Sequence, residues 1–378
     1  MKAQQIVPFP FVDLRAQFEP IREEIAAAVM RTLESQRFIL GPEVEAFEKE
    51  IASWNGSDTA IACASGSDAL LLALMALDIG PGDEVITTPF TFVATATAII
   101  RLGATPVFVD IEPRTFNLDP GKLRAAVTAR TKAIIPVHLF GLSADLDPIR
   151  ALALSSGIPV IEDAAQAIGA KYRGRRVGNT GLINCFSFFP AKNLGAAGDG
   201  GLMTTNNQGL ADRIRVLANH GSRAKYSYEI IGINSRLDAL QAAILRVKLL
   251  HLEDWTEGRR RNAARYTKLI SDLRLAEHVT LPVEPAYAYH VYNQFTIRCR
   301  RRDALRAYLS SHGIPAQVYY PHPLHLEPAF AGLGYGPHDL PESVRAAEEV
   351  LSLPVYPELP PENLEAVVEA IAEFYGTK

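Results

Sequence analysis

The chain has 378 residues, 48% of them hydrophobic and 21% charged, which excludes a disordered or fibrous protein and leaves room for two domains with separate cores. Its 38 Lys and Arg against 42 Asp and Glu give a net charge of -4, which argues against a nucleic-acid binder. Three scattered cysteines supply neither a disulfide frame nor a zinc site. The start, Met1 to Gln5, leads into no apolar signal core, and no apolar run reaches the roughly 18 residues of a membrane span, so a cytoplasmic protein without a metal is expected.

Taken in order, residues 20–34 predict a helix with Ile21, Ile25, Val29 and Leu33 as one stripe, and a second helix follows Gly41-Pro42 with Val44, Phe47, Ile51 and Trp54 on one side. Alternation then begins. Thr59 to Cys63 reads as a strand, Ala64 to Ser67 as a small-residue turn, and Asp68 to Leu77 as an apolar helix. Strands are predicted over residues 84–87, 105–110, 132–138 and 158–162, with helices between them. This pattern predicts an α/β fold: a mostly parallel sheet sandwiched by helices, whose ligands bind beyond the carboxyl ends of the strands. Residues 236–270 read as one long helix, interrupted only by Gly258, a candidate hinge. Next to it Arg259 to Arg261 form a basic run which, like Arg298 to Arg302, reads as a solvated face. Strands near 292–299 and 317–320 and helices near 303–311 and 362–374 complete a smaller α+β unit, which divides the chain into a large domain, 1–250, and a small C-terminal domain, 251–378.

The stretch from Ile161 to Gly201 carries the chemistry. It opens with Ile161-Glu162-Asp163-Ala164-Ala165-Gln166, runs through Cys185-Phe186-Ser187-Phe188-Phe189-Pro190, and closes on a glycine-rich turn, with Lys192 held between the last two. Such surroundings desolvate an ammonium and lower its pKa, as a Schiff-base lysine requires, although an ordinary surface lysine fits the local sequence as well. Asp163 follows an apolar strand and suits either a helix cap or a carboxylate that keeps a pyridine nitrogen protonated. Gln166 suits a ring hydroxyl or solvent, and Ala164 and Ala165 leave space for a flat ring. Ala64-Ser65-Gly66-Ser67, between strand and helix, suits a phosphate or a plain tight turn. Ser187 is a polar position in an apolar strand, and of Phe90 and Phe92 one is expected in the core.

Together, in this order, the phosphate turn, the aromatic, Asp163-x-x-Gln166 and Ser187-x-x-x-x-Lys192 resemble the DegT/StrS-type nucleotide-sugar aminotransferases. The resemblance extends over nearly the whole chain, through Phe11-Val12-Asp13-Leu14, Phe38-Ile39-Leu40-Gly41-Pro42, Thr91-Phe92-Val93-Ala94-Thr95, Gly198-Asp199-Gly200-Gly201 and Leu351-Ser352-Leu353-Pro354. It implies a pyridoxal phosphate enzyme of the aspartate-aminotransferase type (fold type I), working as a homodimer with sites at the interface. Lys192 then matches the Schiff-base lysine, Asp163 the partner of the pyridine nitrogen, Gln166 the neighbour of the ring oxygen, and Phe92 the aromatic stacked on the ring. Gly66, Ser67 and Ser187 match the phosphate cradle, joined by Asn234 from the second subunit. Arg236 is a candidate for a substrate carboxylate, and Tyr319 and Tyr320 match a loop lining the sugar pocket.

The implied reaction moves an amino group from an amino acid, by analogy glutamate, to a keto group of a nucleotide-linked sugar. The motifs around Lys192 and Asn234 are most similar to members aminating C3, such as those acting on a UDP-3-keto-N-acetylglucosamine uronate or a dTDP-3-keto-deoxyhexose. The C3 members often carry histidine where Tyr319 stands, a departure that weighs against the uronate. Amination at C4 and a non-catalytic regulator of the same fold are the alternatives.

Overall fold

The computed structural model describes residues 8–377; Met1 to Gln5, read above as lacking a signal core, lies outside them. The main sheet has the order Thr59–Cys63, Gly201–Thr205, Ile183–Ser187, Ile161–Asp163, and then, across parallel bridges at Ile134 and Val137, Thr131–Ile134, Glu84–Thr87 and Thr105–Phe108. Every neighbouring pair is parallel except those made by Gly201–Thr205, which runs against both of its neighbours. The mostly parallel sheet is therefore as expected, but the glycine-rich turn continues into a strand that the sequence reading passed over. Because that strand runs the other way, its first residues meet the carboxyl ends of the rest.

Helices cover both faces, and their apolar faces make two large clusters: one under Val44, Phe47, Ile51 and Phe186, the other under Leu70 to Leu74, Ile99 and Ile214. A third cluster belongs to the C-terminal unit. There a three-stranded antiparallel sheet, in the order Val279–Thr280, Phe295–Cys299, Val350–Leu353, packs with the helices Arg302–Ser311 and Pro361–Tyr375, and Phe9 and Val12 lie against the same cluster. A smaller cluster of Phe90, Phe116, Val137 and Phe140 with Ala346 and Val350 joins the two units beside Tyr319 and Tyr320.

Several local expectations need correction. The helix Arg22–Ser35 buries Ala28 and Thr32, while Leu33 is exposed. At 3.6 residues per turn each four-residue step drifts by about 40°, so the i+4 row from buried Ile21 winds out of the core. The long helix is two, Ala239–Leu249 and Leu252–Asp272. Gly258 lies inside the second and is no hinge: a Cβ there would stand 2.8 Å from the Cβ of Pro357, so the glycine serves close packing.

Residues 317–320 are not a strand. Only Gln317 pairs, exchanging backbone bonds with Ser352, and the chain then leaves for the cavity described below. Nor are the basic runs simply solvated. Arg259 and Arg302 are buried, donating to the carbonyls of Tyr292, in a loop, and Val350, at the start of its strand, at 3.2 and 3.0 Å, because buried carbonyls need donors.

Candidate active site

At the carboxyl ends of the parallel strands opens a cavity of about 440 Å³. Parallel strands end together here, and the residues that follow each of them turn into helices or loops whose side chains converge on one place. Lys192 enters from the turn after Ile183–Ser187, with its amide bonded to the Phe189 carbonyl at 2.8 Å. Burial lowers its pKa from 10.5 to about 8, against the opposing pull of the Asp163 carboxylate. Near neutral pH such an amine is more often unprotonated than an exposed lysine, and so a better nucleophile.

Asp163 closes its strand 4% exposed. The Thr95 hydroxyl donates to its Oδ2 at 2.8 Å and the Ala165 amide to its Oδ1 at 3.1 Å. Burial raises its pKa, and these two donors and the Lys192 ammonium pull the other way. A carboxylate so placed is stabilised by an added cation, such as a protonated ring nitrogen. On the opposite face of the same strand, Glu162 accepts from His138 at 2.9 Å, both side chains being fully buried. The His138 Nδ1 in turn accepts from the Ala144 amide at 3.0 Å, which fixes the proton on Nε2.

The turn at 64–67 becomes the N-terminus of the helix Gly66–Ala76. The Ser65 hydroxyl caps the Asp68 amide at 3.1 Å and the Ser65 carbonyl accepts from Ala69 at 2.9 Å, so the Gly66 and Ser67 amides remain to bind an anion. Ser187 lines the cavity beside them, and a Cβ on Gly66 would stand 2.6 Å from the Ser187 Cβ. A Cβ on Gly201 would stand 2.3 Å from the Ser65 carbonyl carbon, so the neighbouring strand also needs a glycine to let this turn approach.

Gln166 is fixed at both ends. Its Oε1 accepts from the Phe140 amide at 2.8 Å and its Nε2 donates to the Tyr320 hydroxyl at 3.0 Å. Phe90 is the core phenylalanine, whereas Phe92 is 55% exposed and offers a free face to the cavity, its centroid 6.4 Å from that of Tyr320. Tyr319 lines the same wall, 6.2 Å from Phe11. Ala165 also lines the cavity, but Ala164 is in the core and makes no room for a ring.

Two expected residues lie elsewhere. Asn234 is exposed and pairs with Asn219, while Arg236 donates to the Asn219 side chain at 3.0 Å; neither lines the cavity of its own chain. Conversely, Asn293 and Gln294 from the C-terminal unit, Asp199, and Thr95 behind Asp163 contribute without having been singled out. Thr95 belongs to a recognised motif and was within reach of sequence reasoning; Asn293 and Gln294, about a hundred positions from Lys192, gave no local signal.

An anion cradle that a Cβ would fill, a buried acid in want of a cation, a lysine with a depressed pKa and an uncovered aromatic fit pyridoxal 5'-phosphate. The model of the DegT/DnrJ/EryC1/StrS aminotransferase family matches residues 19–372. The chain belongs to that family. A "pleiotropic regulatory protein" of Geobacillus stearothermophilus is 54% identical over 97% of this chain and 98% of its own. The UDP-N-acetyl-3-dehydro-alpha-D-glucosamine 3-aminotransferase of Acidithiobacillus ferrooxidans is 48% identical over 97% and 98%. Among solved structures, S. venezuelae DesV in complex with a ketimine intermediate matches with a TM-score of 0.95 and 46% identity, covering 98% of this chain and 99% of that one.

As a DegT/DnrJ/EryC1/StrS member, the protein is a pyridoxal phosphate-dependent aminotransferase of fold type I. No helix among the described residues is long and apolar enough to cross a membrane.

Proposed function

We propose that this aminotransferase moves an amino group from glutamate to the C3 keto group of a nucleotide-linked sugar, a UDP-3-keto-N-acetylglucosamine derivative or a dTDP-3-keto-deoxyhexose. The observation that carries the reading is Lys192, its pKa depressed, in one cavity with Asp163 and the Gly66–Ser67 anion turn. Relatives at 48 and 46% identity are named for 3-amination of UDP- and dTDP-linked sugars.

In this assignment the cofactor, when bound, supplies the electron sink for the carbanion at the donor's α-carbon. Lys192 would hold the cofactor and, once free, would move the proton at the donor's α-carbon. Asp163 would keep the ring nitrogen protonated, Gln166 would serve the ring oxygen, Phe92 would cover the ring, and Gly66, Ser67 and Ser187 would take the phosphate. Tyr319 and Tyr320 line the sugar side. We take residues 1–250 as the cofactor domain and 251–378 as the small domain, with support from the separate C-terminal core cluster.

A cytoplasmic homodimer with shared sites is part of the same proposal. Met30, Ile39, Phe189 and Ile231 are apolar and exposed, as at a contact surface. Asn234, outside its own cavity, is free to complete the partner's phosphate cradle, and Arg236 to meet a substrate carboxylate there.

A regulatory role is the second reading, favoured by the name of the 54%-identical relative. Incubating the loaded protein with glutamate and a panel of 3-keto and 4-keto UDP- and dTDP-sugars separates the possibilities. Amino sugar from the 3-keto compounds supports the proposal; turnover of 4-keto compounds alone moves the reaction to C4, and no turnover on the whole panel favours the regulator.

A further inference from the structure

The segment that carries Lys192 has neither a ladder nor a helix of its own. Residues 190–198 form a succession of turns so tight that a Cβ on Gly195 would stand 2.2 Å from the Pro190 carbonyl oxygen. Their position is set from outside. The Asn193 side chain donates to the Val291 carbonyl at 3.0 Å. The helix Ala239–Leu249 grips the other side at two points: Gln241 accepts from the Ala197 amide at 2.8 Å, and Lys248 donates through Nζ to the Gly195 carbonyl at 2.6 Å. Seven residues are two turns of helix, so Gln241 and Lys248 share one face, turned to this segment.

Lys248 is an unusual choice for that contact. It is only 8% exposed, and burial lowers its pKa from 10.5 to about 8, opposed by the charge of Glu358. The ammonium also lies 5.8 Å from the centre of the Trp255 ring. Burying a cation costs several kcal/mol in desolvation, and an apolar side chain of the same length fills the same space without that cost. What an apolar residue lacks is the charge-assisted bond to Gly195.

We propose that Lys248 is a positioning residue for the cofactor lysine: through the Gly195 carbonyl, and together with Gln241, it fixes the turn that aims Lys192 into the cavity. The inference rests on the assignment of Lys192 as the lysine that binds the cofactor. Chemistry at a lysine tolerates little displacement, since an error of about 1 Å in a reacting group costs up to about a hundredfold in rate. The chain's own clamp, rather than the cofactor, sets the aim in this scheme. Its effect therefore extends to the protein before the cofactor arrives.

The test is Lys248→Met, with Gln241→Ala as a second variant that leaves the buried cation in place. In cofactor-free protein, the rate at which the visible absorption band forms on adding pyridoxal phosphate is expected to fall at least about tenfold in Lys248→Met and by a smaller factor in Gln241→Ala. In loaded enzyme kcat is expected to fall in both variants while KM for both substrates stays within about twofold, and by a larger factor than any fall in the thermal midpoint accounts for. Band formation and kcat at wild-type level in both variants, or losses that simply follow a lowered thermal midpoint, overturn the proposal. A Lys192→Ala control separates the two assignments: a band that persists there overturns the reading of Lys192 and this inference with it. A band lost there but formed at the normal rate in Lys248→Met and Gln241→Ala overturns the inference alone.

Discussion

The Thr95 hydroxyl donates to Asp163 Oδ2 at 2.8 Å, joining the helix Ala94–Arg101 to the strand that carries the acid. Because burial pushes the Asp163 carboxyl up and this bond holds it down, Thr95 helps keep the carboxylate ionised for the ring nitrogen. Thr95→Val, which keeps the shape, is expected to weaken cofactor affinity about tenfold, the worth of one hydrogen bond to a charged group. An absorbance titration measures it, and an unchanged affinity contradicts the role.

Lys192 reacts only as the neutral amine. With its pKa lowered to about 8, the neutral fraction of cofactor-free protein rises as pH climbs through that value and is nearly complete well below 10.5. The rate of band formation against pH is expected to rise to a plateau with its midpoint near 8; a midpoint near 10.5 contradicts a desolvated lysine.

Gly66 stands where the phosphate turn meets Ser187. Gly66→Ala puts a methyl 2.6 Å from the Ser187 Cβ, so one of the two must move. Overpacking of this kind costs about 1 to 3 kcal/mol, and the displaced Ser187 no longer faces the anion. The variant is expected to lose affinity for pyridoxal phosphate by a larger factor than for dephosphorylated pyridoxal. Equal losses for the two ligands place the damage away from the phosphate.

Asp163, Lys192 and Gly66 were legible in the chain, unlike Thr95: Asp163-x-x-Gln166, Ser187-x-x-x-x-Lys192 and the small-residue turn sit where their strands end, and strand ends follow from apolar runs. Phe92 was legible only together with Phe90, since period alone does not say which of two alternate phenylalanines faces the core. The strand Gly201–Thr205 was hidden because glycines that serve a close approach look like those of a turn. The split of the long helix at Leu250–His251 has no proline or glycine to announce it, and the buried arginines look solvated until the carbonyls they meet are known. Asn293, Gln294 and Lys248 reach the site by tertiary packing over long sequence separations, which no local pattern encodes.

Glu162 and His138 form a fully buried pair on the far face of the strand bearing Asp163. Burial alone pushes the Glu162 carboxyl up, but donation from His138, the Thr180 hydroxyl and the Gly178 amide outweighs it and holds the group below its usual 4.5. The folded state thus binds this proton less readily than the unfolded chain, so the contribution to stability is present above pH 4.5 and is lost as pH falls through the depressed folded value. Glu162→Gln is expected to cost about 1 to 3 kcal/mol at neutral pH and to flatten the acid limb of the stability curve. Denaturant midpoints across the acid range measure both; a wild-type acid limb in the variant contradicts the linkage.

Reductive trapping shows directly whether Lys192 is the lysine that bonds the cofactor. Borohydride treatment of the loaded protein followed by peptide mass spectrometry identifies the lysine bonded to the cofactor. The added phosphopyridoxyl mass is expected on the peptide containing Lys192, with no modification in Lys192→Ala. The same mass on another lysine, Lys248 included, contradicts that assignment.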